Sequence, residues 1–155
     1  MRATPRSVLL VAVAAVVALG SSACGKDGDS AADRKKPEVS VPSGSAPTAL
    51  QKTDLITGEG AEAVAGKKVT VHYVGVSFAT KKQFDASWDS GQPFSFVLGQ
   101  GRVIQGWDEG VPGMKVGGRR QLVIPAALAY GAQGSPPVIG PDETLVFVVD
   151  LLSVS

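Results

Sequence analysis

The sequence of 155 residues is poor in the side chains on which many enzymes and binding proteins depend. Its single cysteine excludes a disulfide framework and a cysteine-based zinc site within one chain, and its single histidine excludes a histidine cluster for a metal. Fifteen Lys and Arg face fourteen Asp and Glu, so the net charge of +1 lacks the positive excess typical of nucleic-acid-binding proteins. The sequence therefore predicts no metal, no cofactor and no nucleic-acid partner.

Aromatic residues are absent from the first 72 positions, and all nine lie between Tyr73 and Phe147. Because a hydrophobic core is built from bulky side chains, we expect the folded part towards the C-terminus. At ~100–200 residues per domain, the chain has room for one domain with appendages. The predicted boundaries are a signal peptide over 1–23, a flexible tether over 24–47 and one domain over 48–155.

The N-terminus has the pattern of a bacterial export signal. Two arginines precede an unbroken apolar run over residues 8–19, which fits a signal-peptide core of ~7–15 residues and is short of the ~18 needed to span a membrane. Small residues then lead to Cys24, which resembles the lipidated cysteine of a bacterial lipoprotein, although Ser21 stands where a Leu is usual. The alternative is ordinary cleavage near Ala23, which leaves a free thiol on a secreted protein.

The segment after the cysteine has the composition of a spacer. Residues 25–47 contain no Leu, Ile, Met or aromatic residue, so the segment has little apolar area to bury against the entropy of ordering. We therefore expect a flexible tether that links the domain to a lipid on Cys24. The expected location is the outer face of the bacterial cytoplasmic membrane.

Alternating apolar and polar residues predict a domain made mostly of strands. The predicted strands cover 49–57, 67–76, 93–98, 119–124 and 144–154. The last of these is nearly all apolar and β-branched, which is typical of a strand covered on both faces. One short helix is predicted over 103–110 and a single turn over 126–130. The fold class is α+β, with an antiparallel sheet of about five strands curled around one short helix.

The C-terminal motifs occur in a specific order. They read VHYVG (71–75), FDAS (84–87), PFSFVLG (93–99), VIQGWDEGV (103–111), VGGRRQLVIP (116–125), AYG (129–131) and TLVFVVDLL (144–152). This order resembles the FK506-binding protein family of peptidyl-prolyl cis-trans isomerases, from about residue 53 to residue 154. With the N-terminal signal, the whole chain resembles a lipid-anchored bacterial member of that family.

The resemblance implies a pocket that accelerates X–Pro bond isomerisation in exported proteins by favouring the twisted amide. Trp107 is expected to form its floor, under the proline ring. Its walls are expected to be Tyr73, Phe84, Phe94, Val103, Ile104 and Phe147, and its polar rim Asp85 and Tyr130. Phe84 would lie near the distorted carbonyl, and the Tyr130 hydroxyl and Ile104 N–H would hold substrate carbonyls.

Two positions depart from the family pattern. Ser90 stands where relatives often carry an Arg that pairs with the aspartate of the FD motif, so Asp85 is expected to be held by Tyr73 instead. Arg102 changes the charge of the rim. The resemblance also implies proline-containing polypeptide substrates, macrolides such as FK506 or rapamycin, and a monomer. The alternative function is a non-catalytic protein-binding or chaperone module that uses the same pocket.

Overall fold

The computed structural model describes residues 30–155. The predicted signal peptide, Cys24 and the first residues of the predicted tether lie outside the described residues. Within residues 30–155, no helix has both the length and the apolar character that crossing a membrane requires.

The domain is built on a single antiparallel sheet. Its strands are β1 (Gln51–Ile56), β2 (Lys68–Ser77), β3 (Gln83–Ala86), β4 (Phe94–Val97), β5 (Arg119–Ile124) and β6 (Leu145–Val154). The helices are α1 (Ser87–Ser90) and α2 (Gln105–Gly110), with short 3₁₀ turns at Ala126–Leu128 and Gly131–Gln133. The strand order is β1-β5-β6-β2-β3, and β4 also pairs with β2. The two long strands β2 and β6 therefore form the centre of the sheet.

The expected α+β class and antiparallel sheet are confirmed, and all five predicted strands form. The sixth strand, β3, lies opposite residues 74–76 of β2, and β4 lies opposite residues 68–71 of the same strand. Strands β3 and β4 thus share one edge of β2 and are separated by α1. The prediction of a single helix was incomplete, because one turn of helix interrupts this edge.

The helix α2 covers one face of the sheet, here called the helix face. Trp107 is 4% exposed and packs there with the buried Val111. A Cβ atom at Gly106 would stand 2.3 Å from the side chain of Ile124, so only glycine allows this close approach to β5. Glycine disfavours a helix by about 1 kcal/mol, and tertiary packing must therefore hold α2 in place.

The opposite face of the sheet is covered by residues 31–41, here called the N-terminal strap, and we call this side the strap face. Val39 and Val41 pack against a buried cluster. Its members are Val74, Val76, Phe78, Ala86, Val123 and Val146. Ala31 is 5% exposed, and Arg34 lies 3.6 Å from Asp150, which is fully buried in β6.

The strap differs from the flexible tether expected over 24–47. Its composition is polar, but two valines spaced two apart present apolar side chains to the sheet, and an arginine reaches a buried carboxylate. The strap also explains why residues 145–151 of β6 are all buried. The predicted double coverage of this strand is correct, and its second cover is the strap.

Candidate active site

The nine predicted pocket residues line one cavity of about 200 Å³ at the edge of the helix face, together with Arg102. They are Tyr73, Phe84, Asp85, Phe94, Val103, Ile104, Trp107, Tyr130 and Phe147. The wall is formed by six segments of the chain. They are the strands β2, β3, β4 and β6, the start of α2 and the loop after β5. The structure therefore brings all nine together, while their part in catalysis stays a prediction.

Trp107 lies at the bottom of this cavity and is surrounded by aromatic rings. Its ring centroid is 5.1 Å from that of Tyr73 and 5.3 Å from that of Phe147, both edge to face. Phe94 approaches from the mouth at 6.2 Å and is 39% exposed. Edge-to-face packing stabilises aromatic pairs beyond the area they bury. The floor is thus formed by closely packed aromatic rings, with Phe94 exposed at the mouth.

The polar groups of the cavity lie at its rim. The Tyr73 hydroxyl donates a 2.6 Å hydrogen bond to Asp85 Oδ2, as expected from the absence of an arginine at position 90. Burial, and next the hydrogen bond to Asp85, raise the pKa of Tyr73 well above its ordinary value. Ser90 instead donates to the Ser87 carbonyl in α1. Tyr130 is 41% exposed and completes the rim.

Asp108 orders the loop that leads into the cavity, a role that the sequence reasoning missed. Its two carboxylate oxygens accept hydrogen bonds from the N–H groups of Gly99 and Gly101, at 2.9 and 2.8 Å. Arg102, Val103 and Ile104 come next in the chain, and Ile104 is the residue that precedes α2. Because N–H groups at the start of a helix have no acceptor within the helix, this position suits a contact with a substrate carbonyl.

The sequence reasoning also missed the role of Gly75, the last residue of the motif VHYVG. A Cβ atom at this position would stand 2.6 Å from the ring of Phe84 and 2.7 Å from the ring of Phe147. These two rings meet edge to face at 5.5 Å. Glycine in the middle of β2 therefore leaves the space in which the wall of the cavity is built.

The chemistry available in the cavity is limited. Its titratable groups are Tyr73, Asp85, Arg102 and Tyr130, which form no pair of nucleophile and base. His72 lies on the strap face, with Nδ1 2.9 Å from Ser87 Oγ and its ring stacked on Trp88 at 4.3 Å. These contacts give His72 a structural role. Within residues 30–155, no cluster of side chains is suited to hold a metal ion. The cavity suits recognition of an apolar ring and its flanking carbonyls.

Comparison with known proteins agrees with this geometry. A family model described as FKBP-type peptidyl-prolyl cis-trans isomerase matches residues 59–152, which include every residue of the cavity. An FK506-binding protein of Streptomyces anulatus is 56% identical over 121 residues, which cover 77% of this chain and 98% of the relative. A match of that extent begins no later than about residue 37, so it includes part of the strap.

Two further proteins are similar to about two thirds of this chain. An FK506-binding protein of Neisseria meningitidis serogroup A is 54% identical over 102 residues, 65% of this chain and 92% of that protein. The crystal structure of AtFKBP13 superposes with a TM-score of 0.65 and 37% sequence identity, covering 71% of this chain and 96% of that one. Sequence and fold are therefore similar to the same group of proteins.

Proposed function

Because the chain belongs to the family of FKBP-type peptidyl-prolyl cis-trans isomerases, we propose that it accelerates cis-trans isomerisation of X–Pro bonds in exported polypeptides. The observation that carries this proposal is the cavity floored by Trp107 and walled by aromatic rings. Its size and apolar surface suit a proline ring.

The reaction makes few chemical demands. Rotation about an X–Pro bond crosses a barrier of about 18–20 kcal/mol and takes tens to hundreds of seconds unaided. No covalent bond breaks, and the twisted amide loses resonance and part of its dipole. Moving the twisted amide out of water therefore costs less than moving the planar one, and an apolar site binds it preferentially. A 10⁵-fold acceleration requires about 7 kcal/mol of such preference.

Each part of the cavity has a proposed role. Trp107 supports the proline ring, and Phe84 lies against the twisting carbonyl. The Ile104 N–H and the Tyr130 hydroxyl donate to carbonyls on either side of the bond. Asp85, held by Tyr73, presents a fixed acceptor at the rim. None of these roles transfers a proton, and the residues that line the cavity form no pair of nucleophile and base.

The test is an isomerase assay on an X–Pro peptide with the purified chain. We expect the exchange rate to rise in proportion to protein concentration and to fall when FK506 is added. The macrolide is proposed as a ligand because the similar proteins are FK506-binding proteins by name. Binding of FK506 without any acceleration would favour the alternative, a non-catalytic module that holds protein partners through the same cavity.

Export and membrane attachment form a second part of the proposal. The apolar run over residues 8–19 and the cysteine that follows small residues support a signal peptide and a lipid on Cys24. The isomerase would then act on the outer face of the cytoplasmic membrane. A monomer is also proposed, since α2 and the strap cover both faces of the central strands within one chain. Light scattering in solution measures this state.

A further inference from the structure

The N-terminal strap is attached to the helix α1. Asp89 of α1 accepts hydrogen bonds from Lys36 Nζ of the strap and from Gln83 Nε2, the latter at 2.6 Å. The bond from Lys36, and then that from Gln83, hold the pKa of the Asp89 carboxyl below its ordinary value. Gln83 immediately precedes Phe84 and Asp85, which we call the β3 wall of the cavity. The Asp89 carboxylate thus joins the strap to Gln83, the residue that precedes the β3 wall in the sequence.

Apolar contacts hold the strap to the same region. Val39 and Val41 pack against the cluster on the strap face, which includes Ala86, and Trp88 packs against that cluster as well. Ala86 follows Asp85 directly and is 7% exposed. The chain on the C-terminal side of the β3 wall is therefore fixed in an apolar layer that the strap completes.

The helix α1 is in turn bound to β2 beside the cavity. Ser87 Oγ accepts a 2.8 Å hydrogen bond from the Tyr73 N–H, and Trp88 stacks on His72. Tyr73 lines the cavity and holds Asp85 through its hydroxyl. The contacts of the strap consequently reach the β3 wall from the side that faces away from the cavity. None of the described residues that line the cavity belongs to the strap.

From this connection we propose that the strap positions the β3 wall, so that Lys36, Val39 and Val41 tune how tightly the cavity binds its ligand. The inference rests on the proposed isomerase function. The floor and the opposite wall, built from Trp107 and the start of α2, pack in the cluster on the helix face, whereas Val39 and Val41 pack in the cluster on the strap face. Loosening the strap is therefore expected to weaken substrate binding and leave the turnover of bound substrate nearly unchanged, since a loss of uniform binding raises KM alone.

The first experiment removes the ion pair in the full chain. Lys36→Ala, Asp89→Ala and the double variant are expected to raise KM for an X–Pro peptide by about two- to five-fold, the size that an exposed ion pair supports. Asp89→Ala should raise KM at least as much as Lys36→Ala, because Asp89 also accepts from Gln83. The double variant should match Asp89→Ala, because Lys36 acts through Asp89. Lys36→Arg should restore KM. Lys35→Ala is the matched control, since the strap uses only the carbonyl of Lys35, which accepts from Arg119 Nη2.

The second experiment separates positioning from stability. Val39→Ser with Val41→Ser is expected to lower the free energy of unfolding and also to raise KM. Amide hydrogen exchange of residues 83–90 should become faster in Lys36→Ala and stay unchanged in Lys35→Ala. Hydrogen exchange does not depend on turnover. An unaltered chain without isomerase activity would contradict the proposed function, while the exchange rates would still test whether the strap positions the β3 wall. Unchanged exchange at residues 83–90, or a loss of stability with KM unaltered in every strap variant, would overturn it.

Discussion

The Tyr73 hydroxyl and the Asp85 carboxylate are joined by a 2.6 Å hydrogen bond that links β2 to β3 across the mouth of the cavity. Burial raises the pKa of Tyr73, and the acceptor Asp85 raises it further. The phenol therefore keeps its proton at neutral pH, where it donates to Asp85 at the rim. The bond makes the rim a preformed feature rather than one assembled by the ligand.

Tyr73→Phe keeps the ring on Trp107 and removes only this hydrogen bond. We expect weaker FK506 binding, by about 1 kcal/mol or five-fold in Kd, and a smaller change in kcat/KM, because the twisted amide depends on the apolar surface. Titration calorimetry and the isomerase assay measure the two effects. A variant that binds FK506 normally but loses turnover would instead assign the hydroxyl a direct part in the reaction.

His72 should make stability depend on pH. Burial lowers its pKa, although the charge of Asp150 acts in the opposite direction. Because the unfolded chain binds this proton more readily, the stability contributed by neutral His72 is complete above about pH 6.5 and is lost as pH falls below that value towards the folded pKa. We therefore expect the free energy of unfolding to decrease between pH 7.5 and 5.5.

His72→Gln supplies the comparison. The variant differs in absolute stability, so the quantity to compare is the change between the two pH values, measured by urea unfolding. We expect the change to be smaller in the variant. The same decrease in both proteins would assign the pH dependence to other groups.

Removal of the strap should destabilise the domain. A chain that begins at residue 48 lacks Arg34, which lies by the buried Asp150, and uncovers the apolar cluster on the strap face. Asp150 keeps its ion pair with Arg119 at 2.7 Å, so the loss of apolar contacts is the main effect and predicts a decrease of about 2–4 kcal/mol in the free energy of unfolding. Denaturant unfolding of chains beginning at residues 30 and 48 gives this difference. Equal stabilities would show that the strap contributes nothing to the fold.

The strap also marks the limit of what the sequence predicts. Hydrophobic patterns located five of the six strands. The motif order predicted one site from nine residues in six segments of the chain. The nearly all-apolar β6 indicated a cover on both faces, yet the only predicted helix accounts for one of them. The second cover has no periodic pattern, because an irregular segment needs only two valines and an arginine to match the face beneath it. Composition averaged over residues 25–47 conceals these three side chains.

The supporting residues of the cavity were missed for a related reason. Gly75 and Asp108 act through space, on rings from other strands and on N–H groups of a neighbouring loop. Neither residue carries a local signal that differs from an ordinary strand glycine or an exposed helix aspartate. Only the tertiary structure shows that a Cβ atom at position 75, or the loss of the carboxylate at position 108, would disturb the cavity.

Membrane attachment is tested by Cys24→Ser. We expect the variant to appear in the soluble extracytoplasmic fraction, whereas the unaltered protein partitions with the membrane, because acylation is the only anchor that the N-terminal sequence offers once the signal peptide is removed. The isomerase rate should not change. Fractionation followed by mass spectrometry of the N-terminal peptide measures both location and lipid. A processed Cys24→Ser protein that remains on the membrane would contradict lipid anchoring.

Trp107 is the residue on which the proposed site most depends. Trp107→Ala would remove a buried ring and cost roughly 3–5 kcal/mol, a large part of the ~5–15 kcal/mol available to a domain, so loss of folding would obscure loss of function. Trp107→Leu keeps more of the volume. We expect a folded protein with reduced turnover of proline peptides, checked by circular dichroism and the isomerase assay.

Fluorescence gives an independent measure of the same position. Trp88 stacks on His72 on the strap face, away from the cavity, so a Trp88→Phe background leaves Trp107 as the only indole. Because the Trp107 ring forms the floor among Tyr73 and Phe147, a ligand that enters the cavity should quench or shift its emission. Unchanged emission at saturating FK506, or normal turnover by Trp107→Leu, would show that the proline ring binds elsewhere.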